Sequence, residues 1–327
     1  MTPKALVTGS TGFIGSHLVE YLLALNWDVT CFIRPKSKTK ILSGLPVRIL
    51  NGDIDDMPSL EKAVHGQDYI FHVAARIRSA PLDTYDRANH QFTKNLALAS
   101  LNSNPNLKRF VYTSSIAASG PSPPGSCSNE TQICCPTSRY GKSKLRGEEA
   151  LCAIWDRLPV TIIRPPNVYG PRQVETELLI KIIKRRIVPL FKNGAGSTSL
   201  IYIHDLVEGI IQASLSPQTI GQIYYLTDGV DYSWRKIILA VKDQVLGTSL
   251  FLPLPEKVIY LSAWIIDILK STGIISIHFG RRVWRGMIQT PWIFSSAKAQ
   301  KDFGFKARHS LQAGLKETIW FYKPSGS

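Results

Sequence analysis

Eight residues near the start of the chain, Thr8-Gly9-Ser10-Thr11-Gly12-Phe13-Ile14-Gly15, restrict its fold more than any other stretch. They follow the apolar run Ala5-Leu6-Val7 directly and open into the helical pattern Ser16-His17-Leu18-Val19-Glu20-Tyr21-Leu22-Leu23. Three glycines at a strand-to-helix junction form a cradle for a pyrophosphate. Gly9 permits the sharp turn, Gly12 lets the backbone approach phosphates without a Cβ in the way, and Gly15 lets the helix pack closely on the strand. The strand before and the helix after favour a dinucleotide site over a purely structural glycine turn.

The same alternation continues. Val29–Ile33, Val47–Leu50, Tyr69–Val73, Phe110–Thr113 and Val160–Ile163 are strand candidates separated by helical patterns, among them a single crossover helix over Ala88–Leu101. This is the pattern of an α/β fold with a doubly wound parallel sheet, a Rossmann fold. After Arg164-Pro165-Pro166 the character shifts. A helix is expected over Glu175–Ile187, a strand over Leu200–Ile203, a helix over Asp205–Leu215, a strand over Ile223–Leu226 and a C-terminal helix over Leu311–Tyr322. The expected division is a dinucleotide-binding domain over 1–170, with 200–226 returning to it, and a smaller, non-contiguous substrate domain from 171–199 and 227–327.

At 327 residues with 44% hydrophobic and 19% charged residues, the chain can bury a large core, and nothing in it reads as repetitive or low in complexity. Met1-Thr2-Pro3-Lys4 runs straight into the first strand, so a cytoplasmic location is expected. The five cysteines lack metal-ligand spacing and read as reduced thiols, and no metal is expected. His17 reads as a packed or capping side chain. The net charge of +15 favours anionic partners. Its clusters at Arg34–Lys40, Lys181–Arg186 and Arg281–Arg285 carry no nucleic-acid motif and read as solvated faces or a cofactor-phosphate rim. Residues 258–269 are apolar almost all round but shorter than the about 20 residues a bilayer span needs. Burial is the first reading; a peripheral membrane contact is the second.

Tyr140-Gly141-Lys142-Ser143-Lys144 sets a phenol and an ammonium four residues apart, on one face of a helix. A free tyrosine has a pKa of about 10, and a nearby cation favours its phenolate. Such a spacing also arises on ordinary surface helices. Its context here is the glycine turn and the strand Phe110–Thr113, which ends in Ser114-Ser115 where a parallel sheet faces its ligand crevice.

At these residues the chain resembles the extended short-chain dehydrogenase/reductase family, over nearly its full length. The motifs are Thr8–Gly15, Gly52-Asp53-Ile54, Phe71-His72-Val73-Ala74-Ala75, Tyr112–Ser115, Tyr140–Lys144, Arg164–Pro171 and Ile203-His204-Asp205-Leu206. The resemblance implies that Ser115 orients the substrate oxygen, Tyr140 donates or accepts the proton, and Lys144 lowers the phenol pKa while holding the nicotinamide ribose. Ser114 is the rival for the serine role; the spacing of 25 residues from Ser115 to Tyr140 matches the family's sugar-nucleotide epimerases.

The implied cofactor-binding set is Gly9, Thr11, Gly12, Phe13, Ile14, Gly15, Arg34, Lys38, Asp53, Ile54, Ala74, Ala75, Tyr140, Lys144, Pro165 and Val168. In it Asp53 accepts from the adenine amino group, although it also reads as an ordinary turn aspartate. Asn89 reads either as a positioning residue or as simple capping, and a homodimer through the segments bearing Asn89 and Tyr140 is the family's habit. Where NAD-preferring members carry an acid, this chain has Ile33 followed by Arg34, whose planar fork suits a 2′-phosphate. NADP(H) is therefore the expected cofactor, with NAD(H) as the alternative.

Three functions follow. The first is an NADP(H)-dependent oxidoreductase acting on a hydroxyl or ketone of an apolar small molecule, resembling dihydroflavonol reductases and 3β-hydroxysteroid dehydrogenases. The second is a nucleotide-sugar epimerase or dehydratase with the same triad; against it, Thr198 stands seven residues before Asp205, where sugar-nucleotide members commonly place an arginine on the diphosphate. The third is a non-catalytic dinucleotide sensor. In every case the partner is a small molecule rather than a nucleic acid.

Overall fold

The computed structural model describes residues 2–77, 82–184, 187–190, 196–245, 250–253, 264 and 290–322. The apolar runs of the first half become strands β1 (Lys4–Thr8), β2 (Asp28–Ile33), β3 (Arg48–Asn51), β4 (Tyr69–His72), β5 (Arg109–Thr113) and β6 (Val160–Arg164). Between them lie helices α1 (Phe13–Ala24), α2 (Met57–Val64), α3 (Leu82–Asp86), α4 (Phe92–Ser103), α5 (Ile116–Ser119) and α6 (Arg139–Cys152). Then follow β7 (Asn167–Tyr169), α7 (Val174–Lys184), β8 (Ile187–Leu190), β9 (Ser197–Tyr202), α8 (Ile203–Leu215), β10 (Gln222–Tyr225), β11 (Asp231–Ser233), α9 (Trp234–Val245) and β12 (Leu250–Pro253). Helices Ala297–Phe303 and Leu311–Phe321 close the described chain.

Seven strands form one sheet in the order β10-β6-β5-β4-β1-β2-β3, and every neighbouring pair in it is parallel. Strands covered on both faces must be apolar on both. Ala5, Leu6 and Val7 are accordingly all fully buried, as are Phe110, Val111 and Tyr112. On one face Leu18, Val19 and Leu22 of α1 share a core with Leu206 and Ile210 of α8. On the other, Leu60 of α2, Leu96 of α4 and Leu151 of α6 pack together. The strand order reverses between β1 and β4, and a crevice opens at such a point beyond the carboxyl ends of the strands. The glycine turn follows β1, so the topology places it there. Strands β11, β9 and β7 form a separate three-stranded sheet, and β12 pairs with β8.

Two helices differ from expectation. The helix expected over Ala88–Leu101 begins differently: residues 87–91 form a π-helical turn ahead of α4. The carbonyl of Asn89 receives hydroxyls from Thr93 at 2.9 Å and Tyr112 at 3.2 Å, a diversion that suits the wider turn. The helix expected over Glu175–Ile187 stops at Lys184, and Ile187 begins a strand instead. Pro189, which cannot continue a helix, lies two residues further on. Residues 258–269 lie outside the described residues, as does the basic cluster Arg281–Arg285; among the described residues no helix is long and apolar enough to cross a membrane.

Candidate active site

The glycine turn leaves α1 without a side-chain cap and without acidic residues in its first turn, so no side chain of that turn competes for its N-terminal amides. Gly9 has a φ of +74°, and a Cβ on it would lie 2.6 Å from the amide nitrogen of Ala74, just past β4. A Cβ on Gly15 would lie 2.2 Å from the carbonyl oxygen of Gly9. On Gly12 it would meet only that same oxygen, at 3.2 Å. This is an uncapped helix start over a cradle that side chains would fill, and it fits a dinucleotide diphosphate. Thr11, Phe13, Ile14 and Gly12 line the turn. Ala74 and Ala75 follow β4, while Pro165 is buried after β6 and Val168 lies half-buried on β7.

Asp53 and Ile54 lie beyond β3. The Ile54 carbonyl receives the Asn95 amide at 3.0 Å, and the exposed Asp53 carboxylate is 3.3 Å from a guanidinium nitrogen of Arg87, which also pairs with Asp55.

The reactive side chains converge at the end of β5. Three successive strand-end residues hold three residues of α6 spaced one helical turn apart. The Thr113 carbonyl accepts from Lys144 Nζ at 2.6 Å, the Ser114 hydroxyl donates to Glu148 Oε1, and the Ser115 hydroxyl lies beside the Tyr140 phenol, whose ionised form it favours. Ser115 Oγ also accepts from the Ala117 amide at 3.1 Å as the N-cap of α5. The two serines are thus distinguished: Ser114 is committed to Glu148, and Ser115 faces the phenol.

Burial pushes Tyr140 up to about 12, with Ser115 working against the rise; the expected lowering of the phenol by Lys144 is not met, since that ammonium is engaged by the Thr113 carbonyl. Lys144 is fully buried, with its ammonium 4.1 Å from the centre of the Tyr112 ring. Burial pulls it down to about 7, opposed by the negative charge of Glu148.

A second network enters from β4. The Ala74 amide donates to Thr8 Oγ1 at 3.3 Å, and Thr8 donates to Nδ1 of the buried His72 at 2.7 Å. Nε2 of His72 in turn donates to Thr93 at 2.9 Å, and Thr93 donates to the Asn89 carbonyl. The side chain of Asn89 clamps Arg76 from both sides, accepting from its amide at 2.7 Å and donating to its carbonyl at 3.0 Å. It also donates to Ser143 Oγ at 2.9 Å, and Ser143 donates to the Tyr140 carbonyl. Asn89 therefore ties the loop after β4 to the helix of Tyr140. Glu148 was not singled out from sequence, although its place one turn beyond Lys144 and two beyond Tyr140 was the available signal. All five cysteines are unpaired.

Residues 5–226 match the model of the NAD dependent epimerase/dehydratase family. The chain belongs to that family. It is an NAD(P)-dependent enzyme of the extended short-chain dehydrogenase/reductase type, which sets the sensor reading aside. The ceramide reductase of Caulobacter vibrioides is 26% identical over 321 residues, covering 98% of this chain and 94% of that one. The UDP-glucose 4-epimerase of Vibrio cholerae is 29% identical, covering 97% and 95%. Among solved structures, DesIV, a dTDP-glucose 4,6-dehydratase from Streptomyces venezuelae with NAD and TYD bound, superposes with a TM-score of 0.77 at 22% identity, covering 98% and 96%.

These relatives correct one expectation. DesIV holds NAD, and so does the UDP-glucuronic acid 4-epimerase of Bacillus cereus (TM-score 0.75, 23% identity, covering 97% of this chain and 98% of that one). The preference for NADP(H) inferred from Arg34 is overturned by these NAD complexes. Arg34, Lys36 and Lys38 all lie exposed on the turn after β2, where a cation is well solvated without a phosphate and so does not dictate one.

Proposed function

We propose that this enzyme transfers hydride reversibly at an alcohol carbon of a sugar carried on a nucleoside diphosphate, as an epimerase or dehydratase does, with NAD as its cofactor. The observation that carries the reading is the convergence of Ser115, Tyr140 and Lys144 at the end of β5. The end-to-end alignment with a UDP-glucose 4-epimerase supports it.

Bound NAD supplies a nicotinamide C4 that takes and returns hydride. The turn from Gly9 to Gly15 holds its diphosphate, Asp53 and Ile54 its adenine, and Lys144 its nicotinamide ribose; Ala74, Ala75, Pro165 and Val168 flank the site. Tyr140 exchanges a proton with the reacting oxygen, accepting it as the phenolate when the hydroxyl is oxidised and returning it as the phenol when the carbonyl is reduced, and Ser115 orients that oxygen. Residues 171–199 and 227–327 bind the sugar nucleotide.

A ketone reductase of an apolar molecule is the second reading, favoured by one observation. Thr198, where sugar-nucleotide members carry an arginine, is 1% exposed and its hydroxyl accepts from the Asn167 amide at 2.9 Å, so that place offers no cation. The likeness to a ceramide reductase points the same way.

Native mass spectrometry of the purified protein, followed by assays with UDP-, GDP- and dTDP-sugars, separates the two. The proposal expects bound NAD and conversion of a sugar nucleotide without net change in NADH absorbance. Stoichiometric oxidation of added NADH by a long-chain ketone, with every sugar nucleotide inert, replaces it by the second reading.

A further inference from the structure

The carboxylate of Glu148 lies 2% exposed, ion-paired with the buried Arg164 and one helical turn beyond the buried Lys144, a place that the proposed chemistry does not by itself explain. Its Oε1 accepts from Ser114 and from Arg164 Nε at 3.0 Å, and its Oε2 accepts from Arg164 Nη2 at 2.5 Å. Arg164, at the end of β6, is fixed in turn by donating through Nη1 to Ser119 at 3.1 Å and to the Tyr225 hydroxyl at 3.0 Å. One carboxylate therefore joins the ends of β5 and β6 to α6, and through Arg164 it reaches α5 and β10. Ser115 and Lys144 are each one bonded step away along the strand or the helix.

Without it two buried cations would have no anion among the titratable groups that face them. Lys144 faces His72 from β4, Tyr112 from β5 and Glu148 from its own helix. Glu148 faces Arg164 from β6 and interacts with the thiols of Cys134 and Cys152 and with Tyr112. Burial holds His72 neutral by depressing its basicity, and it holds those thiols and the Tyr112 phenol neutral by weakening their acidity. Among these described groups Glu148 is the one anion: it is ion-paired with the Arg164 guanidinium, and its negative charge also acts on the Lys144 ammonium one helical turn away.

We infer that Glu148 is a positioning residue: held by Ser114 and Arg164, it sets the register in which Ser115 and Lys144 meet Tyr140, and it supplies the negative charge that keeps the buried Lys144 amine cationic toward the cofactor ribose. The inference rests on the proposed contact of Lys144 with bound NAD. Its consequence is measurable without any sugar or ketone. Cofactor affinity should fall as Lys144 loses its proton, and the pH at which this happens should depend on the charge of Glu148.

The experiment is fluorescence titration with NADH from about pH 5 to about 9.5. Glu148→Gln is expected to move the midpoint of the affinity loss down by about one pH unit or more, while Glu148→Asp, which retains the charge, stays within about half a unit of the parent. Removing one member of a buried pair is itself destabilising. If Glu148→Gln does not fold, the double variant E148Q/R164Q removes the carboxylate without stranding the arginine, and it should show a smaller displacement in the same direction. An unchanged midpoint in the folded charge-removed variant overturns the inference, even if its melting temperature falls, because a purely structural carboxylate gives that result. Lys144→Met is expected to bind NADH weakly and without this pH dependence. If it keeps the parent profile, the placement of Lys144 at the ribose fails instead.

Discussion

The ammonium of Lys144 donates to the carbonyl of Thr113, the residue two before Ser115, and so the last turn of strand and the first turns of helix α6 are locked in one register. Thr113, Ser114 and Ser115 meet Lys144, Glu148 and Tyr140 in turn, and the helical period brings residues 140, 144 and 148 onto a common face. A tyrosine and lysine four apart can face a strand end in many proteins; the strand serine that meets the phenol gives this pair its chemistry.

Tyr140→Phe keeps the ring and removes the proton. Turnover of whichever substrate is identified should fall by about 10² to 10⁴, the range for loss of a positioned general acid or base, while the Kd for NADH stays within a few-fold. Ser115→Ala should lower kcat by about tenfold to a hundredfold with a modest change in KM, since it removes one donor to the reacting oxygen. Steady-state kinetics with NADH binding measured in parallel checks both. Tyr140→Phe with full activity would falsify the proposed proton transfer.

The three glycines of the turn should not behave alike. On Gly15 a Cβ would sit 2.2 Å from a backbone oxygen that cannot move without unmaking the turn, so Gly15→Ala should lower the melting temperature and abolish NADH binding together. On Gly12 the nearest approach is 3.2 Å, which a small shift relieves. Gly12→Ala is therefore expected to fold with nearly parental stability and to lose NADH affinity by tenfold or so, because its methyl takes the space of the diphosphate. Calorimetry and fluorescence titration of the two variants side by side test the contrast; equal loss of stability in both would contradict it.

The cofactor turn and the tyrosine–lysine pair were legible because each is written in local spacing: glycines fixed by a strand-to-helix junction, side chains fixed by a helical period. The π-turn at Asn89 was not, since it depends on hydroxyls from Thr93 and Tyr112, the latter 23 residues away in sequence. Glu148 escaped notice for the same reason. Its partners, Ser114 and Arg164, lie on two different strands, and only the sheet brings them to one carboxylate. The basic turn Arg34–Lys40 misled in the opposite way: charge is visible in sequence, but whether a charge is committed to a ligand is not. Cofactor choice was accordingly a reading that failed.

That failure has a direct check. With Arg34 exposed, Arg34→Ala should leave the Kd for NADH within about twofold, as expected for one solvated cation screened over a Debye length. The parent enzyme should bind NADH more tightly than NADPH. A competition titration between the two reduced cofactors decides the matter, and a large loss of NADH affinity in the variant would mean that the guanidinium contacts the ribose or the diphosphate directly.

Stability should fall on acidification, through histidines that the fold keeps neutral. His17 donates from Nε2 to the Pro171 carbonyl at 3.0 Å and accepts at Nδ1 from Arg172 at 3.3 Å, so a second proton would have to displace a guanidinium. Burial, with Arg172 adding to it, pulls this imidazole down to about 4, and His72 is lowered still more firmly by complete burial. For both groups the unfolded chain binds the proton more tightly, near the ordinary value of about 6.5. Their contribution to stability is whole above that value and is lost as the pH drops from 6.5 toward 4, the window that His17 sets. The melting temperature should decline over that interval. His17→Gln, whose amide can still donate to Pro171, should show a shallower decline than the parent, even if it melts lower at pH 7. Scanning calorimetry of the two proteins at half-unit steps measures the slopes, and parallel curves would show that His17 takes up its proton as readily in the fold as outside it.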